Sequence, residues 1–391
     1  MKVVNEQLDY AIHVSKGDTV SVKVNNYMPV STSIHWHGMY QIETPWMDGA
    51  GMVTQCLIPS GGNLTYTFNV GNQTGTYWWH AHSASQYTEG LRGPFIIYDP
   101  DDPYMAEYDE EIIITLSDNF HKSAKTILAG YVNANDPVPD SGLINGVGSF
   151  DCSFWSGDGV ACVTPDISNR LRVINMSAQA QFFVSLDGHN MTVIETDGVY
   201  TYPALGDSFP IAAAQRYSVI VIANASIGSY LFRATMADMY TPTGSNITNG
   251  LNLYPTAIWH YNGSLLYTPS EFLNGTLSQK MPLNPYTLGE LHGMTQAEQP
   301  TPQSNVYVSF LVNPNSVDPL NNTSVSSISI ISDETTFFDS QYLVPQRPSL
   351  QTYLLGNPLP ATENPYVVQN GWVLIEVRNS DNVEHIFHLH G

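Results

Sequence analysis

Seven of the twelve histidines in this 391-residue chain fall within three short windows. Two of the windows, SIHWHG and YWWHAHS, each contain a His-x-His pair, and the third, EHIFHLHG, ends the sequence. Imidazole is the commonest metal ligand among protein side chains, so the windows predict a metal site shared between distant parts of the chain. The seven candidate ligands are His35, His37, His80, His82, His385, His388 and His390.

The spacing within each pair narrows the kind of site. Residues i and i+2 of a strand point to one face and lie about 6.5–7 Å apart. That separation suits two neighbouring metal ions, each bound at about 2 Å, better than one ion held by both imidazoles. Copper, zinc, iron and nickel all bind imidazole, so the pairs alone do not name the metal. The flanking Trp36, Trp78 and Trp79 predict either a dry surrounding for the metal or ordinary core packing.

Short strands must carry these histidines. Most of the chain consists of β-branched or aromatic runs bounded by Gly, Pro, Asn or Asp, and residues 19–24 alternate with period two. Residues 121–132 have the best helical pattern, and it is short. The sequence therefore predicts an all-β fold of consecutive Greek-key β-sandwich domains.

Composition divides the chain into blocks. Block one (1–102) ends at an acidic, proline-marked break, and block two (103–262) contains the next series of strands. A linker rich in Pro, Asn, Gln and Gly follows (263–304), and block three (305–391) contains the last histidine window. The first obvious strand begins at Thr19, and block three stops without the closing strands of a sandwich. We therefore expect the first and third domains to be incomplete.

The charge balance excludes some functions. With 13 basic and 35 acidic residues, the chain carries a net charge of −22, which repels nucleic acid and anionic membranes. No stretch reaches the roughly 18 apolar residues of a membrane span. Ten Asn-x-Ser/Thr sequons are typical of a secreted glycoprotein, but the first residues do not form a signal peptide. We predict a secreted protein whose true N-terminus is absent.

Three cysteines leave two possibilities open. Cys152 and Cys162 bracket a short Ser/Gly/Asp loop and could form a disulfide in an oxidising compartment. Cys56 is either a buried free thiol or half of a disulfide whose partner this chain lacks.

The motifs HWHG, WWHAHS and HIFHLHG resemble the first three copper motifs of multicopper oxidases, the laccase, ascorbate oxidase and ferroxidase group. The likeness extends through residues 47–62, 75–100, 137–148 and 185–198 and is fungal in character. It implies three cupredoxin domains with type 1, type 2 and binuclear type 3 copper. By motif position it implies that His385 binds the type 1 copper and that His35 and His388 bind the type 2 copper. The four type 3 ligands would be His37, His80, His82 and His390.

The resemblance also assigns a role to Asp48, which matches a proton donor to the oxygen-reducing cluster. The alternative is a turn-forming Asp before Gly49. A fourth motif, with the type 1 cysteine, would lie downstream of Gly391, and no cysteine here has a His-Cys-His context. A blue-copper site needs that thiolate, so we expect a fragment that is inactive as written, with Cys56 pairing to a cysteine in the missing tail.

Two further departures concern white-rot laccases. A disulfide of those enzymes would join positions 88 and 178, which are Thr88 and Ala178 here. The acidic residue that contacts phenols falls near Gln179. The second departure weakens the inference of a phenolic substrate.

The resemblance leaves three functions open. The first is a laccase-like oxidase that couples one-electron oxidation of phenolic or similar donors to four-electron reduction of O2 to water. The second is a ferroxidase acting on Fe(II), and the third is a non-catalytic copper-binding glycoprotein. We expect a monomer. The carboxylates that would favour the ferroxidase are Asp381, Asp187 or Asp238, and Glu89.

The five remaining histidines are predicted to be structural or exposed. These are His13, His121, His189, His260 and His292. Asn190, a sequon residue directly after His189, is expected to be too buried to carry sugar.

Overall fold

A computed structural model shows how the chain folds. The residues that it describes are 11–129, 137–148, 160–163, 168–236, 255–261, 291–294, 301–302, 304–317, 324–332, 336–338, 348–356, 371–379 and 385–391. Strands dominate them, which confirms the predicted all-β class. No helix in the described ranges is long and apolar enough to cross a membrane.

Block one contains a four-stranded sheet of order β1-β6-β5-β3 and a separate pair, β2-β4. Strand β2 follows its period-two pattern, because Val20 is buried between exposed neighbours. The aromatic side chains of Trp36, Tyr66, Phe68 and Phe95 fill the core between the sheets. The strands are β1 Ile12–Ser15, β2 Thr19–Asn25, β3 Ile34–His37, β4 Asn63–Asn69, β5 Gly75–Ala81 and β6 Arg92–Tyr98.

Block two is a sandwich of a six-stranded sheet, β13-β12-β15-β10-β7-β8, and a five-stranded sheet, β14-β11-β16-β17-β9. Alternate residues of facing strands, such as Val173 and Phe182, are fully buried between the sheets. The strands are β7 Glu110–Asn119, β8 Ser141–Ile144, β9 Val160–Val163, β10 Ser168–Asn175, β11 Phe182–Leu186, β12 Met191–Thr196, β13 Val199–Gly206, β14 Ser208–Ile211, β15 Arg216–Ile222, β16 Ser229–Met236 and β17 Thr256–Tyr261.

The helix expected over residues 121–132 is present as α1, Ala124–Ala129. Beyond block two, a sheet of order β20-β19-β18-β21 includes one parallel pair, β18 with β21. Its elements are β18 Ser304–Val317, β19 Ser324–Ser332, β20 Thr336–Phe338, α2 Ser349–Leu354 and β21 Val373–Asn379. Few residues of the expected linker are described, so the predicted domain boundaries stay predictions.

Candidate metal centre

Strands β3 and β5 bring the two His-x-His pairs together. The strands are antiparallel neighbours, and their register places His35 directly opposite His80. His82 follows the end of β5, where its N–H donates to the Ser33 carbonyl at 2.9 Å and extends the pairing. The ring of His35 lies 5.2 Å from that of His80 and 5.4 Å from that of His82. The pairs therefore form one wall of imidazoles.

The terminal segment, residues 385–391, completes the cluster. The ring of His390 stacks on His35 at 4.0 Å, and the ring of His388 stacks on His37 at 4.3 Å. Nitrogens of His35, His37 and His388 lie within 4.8 Å of one another, as do ligand atoms of His35, Asp48 and His390. Six of the seven candidate ligands thus meet.

The seventh candidate, His385, lines the same cavity of about 1220 Å³ as His37, His80 and His388. This cavity lies between block one, block two and the terminal segment. Which copper type each histidine binds stays a prediction.

Hydrogen bonds determine which nitrogens face the centre. Nδ1 of His35 lies 2.8 Å from the carbonyl oxygen of Asp48, and Nδ1 of His80 lies 3.0 Å from that of Ala81. A carbonyl only accepts, so both Nδ1 atoms carry the proton and each Nε2 keeps its lone pair. Nε2 of His35 and Nδ1 of His37 are buried without a hydrogen-bond partner in the described chain. Buried polar atoms without partners are costly, and a metal ion would satisfy both.

Burial keeps the imidazoles neutral. It lowers the pKa of His37 and of His80 well below the ordinary value, and neighbouring positive charges lower both further. Desolvation within the cluster, with the charges of neighbouring imidazoles, also lowers the pKa of His82 and of the more exposed His388 to about 4. Neutral imidazole is the form that binds metal, so these side chains are ready to bind at neutral pH.

Asp48 lies at the edge of the cluster. It follows a short 3-10 turn, Pro45–Met47, and its side chain is fully buried. One carboxylate oxygen accepts a hydrogen bond from His390 Nδ1 at 2.7 Å, and the other lies 3.2 Å from His35 Nδ1. Burial alone would raise the pKa of Asp48, but these two imidazoles hold it well below its usual range. Asp48 is therefore more than a turn residue.

The tryptophans divide between the two alternatives of the sequence. Trp78 shares the histidine face of β5 and stacks on His80 at 4.3 Å. Trp36 lies on the opposite face of β3 and packs against Tyr66 and Phe68 in the core. Trp79 packs against the same core. Only the first of the three borders the metal centre.

Other sequence expectations have mixed outcomes. Asp187 is engaged by Arg233 through two hydrogen bonds of 2.8 Å, so its carboxylate already has a partner. Glu89 accepts the N–H of Ala124 at 2.6 Å, at the start of α1. Asp381 and Asp238 lie outside the described residues.

Thr88 and Ala178 line one small cavity of about 250 Å³ between α1 and the preceding turn, together with Gln179. The two positions of the absent disulfide are therefore neighbours in space. The side chain of Gln179 donates to the carbonyl of Pro137.

Three expectations about cysteines and sequons were wrong or concern residues outside the described ranges. Cys56 is exposed and has no disulfide partner among the described residues, so the expectation of a buried thiol was wrong, and its pairing with a cysteine outside this chain stays a prediction. Cys152 lies outside the described residues, and so does the side chain of Cys162. Asn190 is exposed, contrary to expectation, whereas the sequon residue Asn175 is fully buried and donates to two backbone carbonyls.

The remaining histidines agree with their assignment as structural or exposed. His189 and His260 are buried, and His189 contacts the hydroxyl of Tyr261 at 2.7 Å. The other three are exposed, namely His13, His121 and His292.

Comparison with known proteins identifies the metal. Two family models, each described as multicopper oxidase, match residues 1–102 and 110–264. Laccase-4 of Thanatephorus cucumeris is 35% identical over 97% of this chain and 71% of its own length. Laccase-1 of Trametes villosa is 41% identical over 63% of this chain and 46% of its own. The chain thus spans about half the length of several laccases that it matches.

Solved structures agree. The multicopper oxidase Fet3p, described as functioning in iron import, has a TM-score of 0.72 at 27% identity, over 88% of this chain and 60% of its own. The laccase of Botrytis aclada has a TM-score of 0.70 at 27% identity, over 95% of this chain and 66% of its own. The inward-facing imidazole nitrogens fit the type 2 and type 3 copper centres of this family, and copper is the implied cofactor. This chain belongs to the multicopper oxidase family.

Proposed function

We propose that this chain carries the oxygen-reducing copper centre of a laccase-like oxidase. The enzyme would couple one-electron oxidation of phenolic or similar donors to four-electron reduction of O2 to water. The observation that supports this proposal is the convergence of six histidines from three windows, with unpartnered nitrogens aimed at one centre. The two curated relatives described above carry the name laccase.

The chain's own residues have separate tasks in this function. His35, His37, His80 and His82, with His388 and His390, would hold the copper ions. Bound copper supplies one-electron redox chemistry and O2 reduction, while the side chains fix its position. Imidazoles that stay neutral at working pH do not compete for the protons that water formation consumes.

Asp48 would manage those protons. Its carboxylate lies beside the centre and is hydrogen-bonded to His390, a candidate ligand. An ionised carboxylate in this place can accept a proton from solvent and deliver it to a reduced oxygen atom. Its other oxygen, Oδ1, is buried and has no hydrogen bond within the described chain. That oxygen lies 3.2 Å from Nδ1 of His35, so both carboxylate oxygens of Asp48 face candidate ligands.

A ferroxidase is the second candidate, and the likeness to Fet3p favours it. One of its expected carboxylates, Asp187, is held by Arg233 and is a poor iron ligand as it stands. The donor is therefore proposed to be organic. We also propose secretion, in line with the sequons and the acidic charge, and a monomeric state.

Copper retention and oxygen chemistry test the function. The chain is dialysed against copper, then against buffer, and its metal content is measured. We expect bound copper in the wild type and loss of most of it in a His35→Ala/His80→Ala variant, with unchanged circular dichroism. In a full-length enzyme that includes the type 1 site, oxidation of the donor should consume O2 without releasing hydrogen peroxide. Equal copper retention in both proteins, or peroxide as the main product, would overturn the proposal.

The donor is tested on a full-length enzyme that includes the type 1 site. Steady-state O2 consumption is compared with a diphenol and with Fe(II). A higher kcat/KM for the diphenol is expected. A strong preference for Fe(II) would exchange the two candidates.

A further inference from the structure

Thr76 lies on β5, the strand that also carries the candidate ligand His80. Strand β3 ends at His37, which pairs with Trp78 of β5. The chain then turns at Gly38, whose φ of +89° lies in the left-handed region. Thr76, two residues before Trp78, therefore has no partner on β3 in the register described.

Side chains of block two take the place of the missing strand. The Thr76 N–H donates to Glu195 Oε1 at 2.7 Å, and the Thr76 carbonyl accepts from Arg216 Nε at 2.9 Å. A carboxylate acceptor and a guanidinium donor reproduce the pair of hydrogen bonds that a neighbouring strand would supply. The edge of the histidine-bearing sheet is thus completed by the adjacent domain.

Arg216 also contacts the turn after His37. A Cβ added to Gly38 would lie 2.7 Å from Nη2 of Arg216, so glycine is needed for this approach. The guanidinium lies 5.5 Å from the centre of the Tyr77 ring. It is held in place by Asp197, which lies 3.0 Å from Nη1. The Arg216 side chain therefore contacts both the turn that follows β3 and strand β5, close to the paired residues His37 and Trp78.

Glu195 is equally constrained. It is 1% exposed, and it accepts from Arg170 at 2.6 Å and from Ser218 at 2.6 Å. A side chain at Gly75 would overlap its carboxylate. The packing of block two therefore fixes the Glu195 carboxylate. Because this carboxylate binds the Thr76 N–H, it also holds the backbone of β5 in place.

We propose that Glu195 and Arg216 are positioning residues for the copper centre. Block two contributes none of the seven candidate ligands, yet it binds the backbone of Thr76 on the strand that carries His80, and Arg216 also lies against the turn after His37. Ligand positions held by neighbouring hydrogen bonds govern metal affinity. The inference rests on the copper site of the proposed function and adds a second domain to it.

The test replaces Arg216 and measures copper affinity directly. Cu(I) is titrated into the chain against a chromophoric chelator that competes for it. In Arg216→Met we expect the affinity to fall by roughly 10-fold or more, the range for residues that orient metal ligands. Arg216→Lys can still donate one hydrogen bond to the Thr76 carbonyl and should recover part of the loss.

A matched control separates positioning from stability. Arg233→Met removes another Arg–carboxylate pair of block two, between Arg233 and Asp187, far from Thr76 in the sequence. It should lower the unfolding temperature as Arg216→Met does and leave copper affinity within about twofold. Circular dichroism verifies folding, and Arg216→Lys carries the test if Arg216→Met does not fold.

Each outcome has one meaning. Wild-type affinity in Arg216→Met, or in Arg216→Lys if it alone folds, would overturn the positioning role. Equal losses in the Arg233→Met control would do the same. Absence of tight copper binding in the wild type would instead overturn the proposed copper site.

Discussion

The two groups of histidines are held in different ways. His35, His37 and His80 lie on paired strands, are buried, and have register partners in β3 and β5. His388 and His390 belong to a segment without regular structure, and His388 is exposed. The first group is positioned by the sheet, whereas the second is positioned by contacts with the first group and with Asp48.

The two groups of histidines are therefore expected to differ in the conformational entropy that they lose when metal binds. Strand hydrogen bonds fix the imidazoles of block one before any metal arrives, so little conformational entropy is lost on binding. The terminal segment must lose backbone freedom, about 1–2 kcal/mol per residue, when it is ordered. We therefore expect block one to determine the affinity and the terminal segment to close the site.

The largest effect on the sheet that carries the strand histidines is expected from a substitution at Glu195, the buried carboxylate of block two. Burial alone would raise the pKa of this carboxyl, but the charges of Arg170 and Arg172 hold it below its ordinary value. Glu195→Gln removes one carboxylate from a network in which Arg170 keeps Asp102 and Arg172 keeps Glu111, so it should cost about 3 kcal/mol at neutral pH, the low end for a broken buried pair. Asp197→Asn, which removes a 41% exposed partner of Arg216, should cost under about 1 kcal/mol.

The pH dependence of this loss has a definite sign. A depressed folded pKa stabilises the protein above the ordinary value of Glu, about 4.3, and the stabilisation disappears as the pH falls through the folded pKa. Urea unfolding from pH 7 to pH 3 should therefore show the wild-type advantage over Glu195→Gln shrinking below about pH 4.3. An advantage that is constant over this range would show that Glu195 does not act through its charge.

A second challenge moves the backbone of β3. Gly49 has a φ of +86°, and an added Cβ would overlap the carbonyl of Ile34. Gly49→Ala combines left-handed strain of about 1–2 kcal/mol with overpacking of about 1–3 kcal/mol. Gly61 has a φ of +76° with no atom within 4 Å, so Gly61→Ala carries the strain alone. Unfolding followed by tryptophan fluorescence should show the larger loss in Gly49→Ala, and equal losses would refute a tightly packed wall.

The comparison itself is tested by removing one histidine from each group. Zinc-finger sites gain about 10–16 kcal/mol from four ligands, or roughly 3 kcal/mol per ligand. His35→Ala should therefore weaken Cu(I) binding by about 100-fold. His388→Ala should weaken it by only about 10-fold, because the terminal segment no longer has to be ordered. Competition titration of both variants measures this, and equal losses would remove the distinction between the groups.

Much of this site could be predicted from residue spacing. The His-x-His pairs gave the strands, the shared face and the shared cluster, and alternation also separates Trp78, on the histidine face, from Trp36 and Trp79. Glu195 could not be found in this way. Glu195 binds Thr76, which is 119 residues away in the sequence, and no local sequence feature distinguishes Glu195 from other acidic residues of a strand.

Asp48 illustrates the other limit of sequence. An Asp before a Gly is common in turns, so the residue types alone leave a turn residue and a site residue equally open, and the contact with His390, 342 residues away, favours the site residue. Gly49 is a similar case, because glycine is required at this position by the nearby carbonyl of Ile34 and not by the turn alone. Tertiary proximity decides both cases.

The stacking of His390 on His35 has a consequence for the unfolded chain. A metal ion held by both residues would act as a cross-link that closes a loop of about 350 residues. Loop-closure entropy assigns about 4.7 kcal/mol to a loop of roughly 100 residues and about 0.6 kcal/mol more for each doubling. An unfolded chain that kept copper on both residues would lose roughly 6 kcal/mol of conformational freedom, so release of copper and unfolding should occur together in one cooperative step.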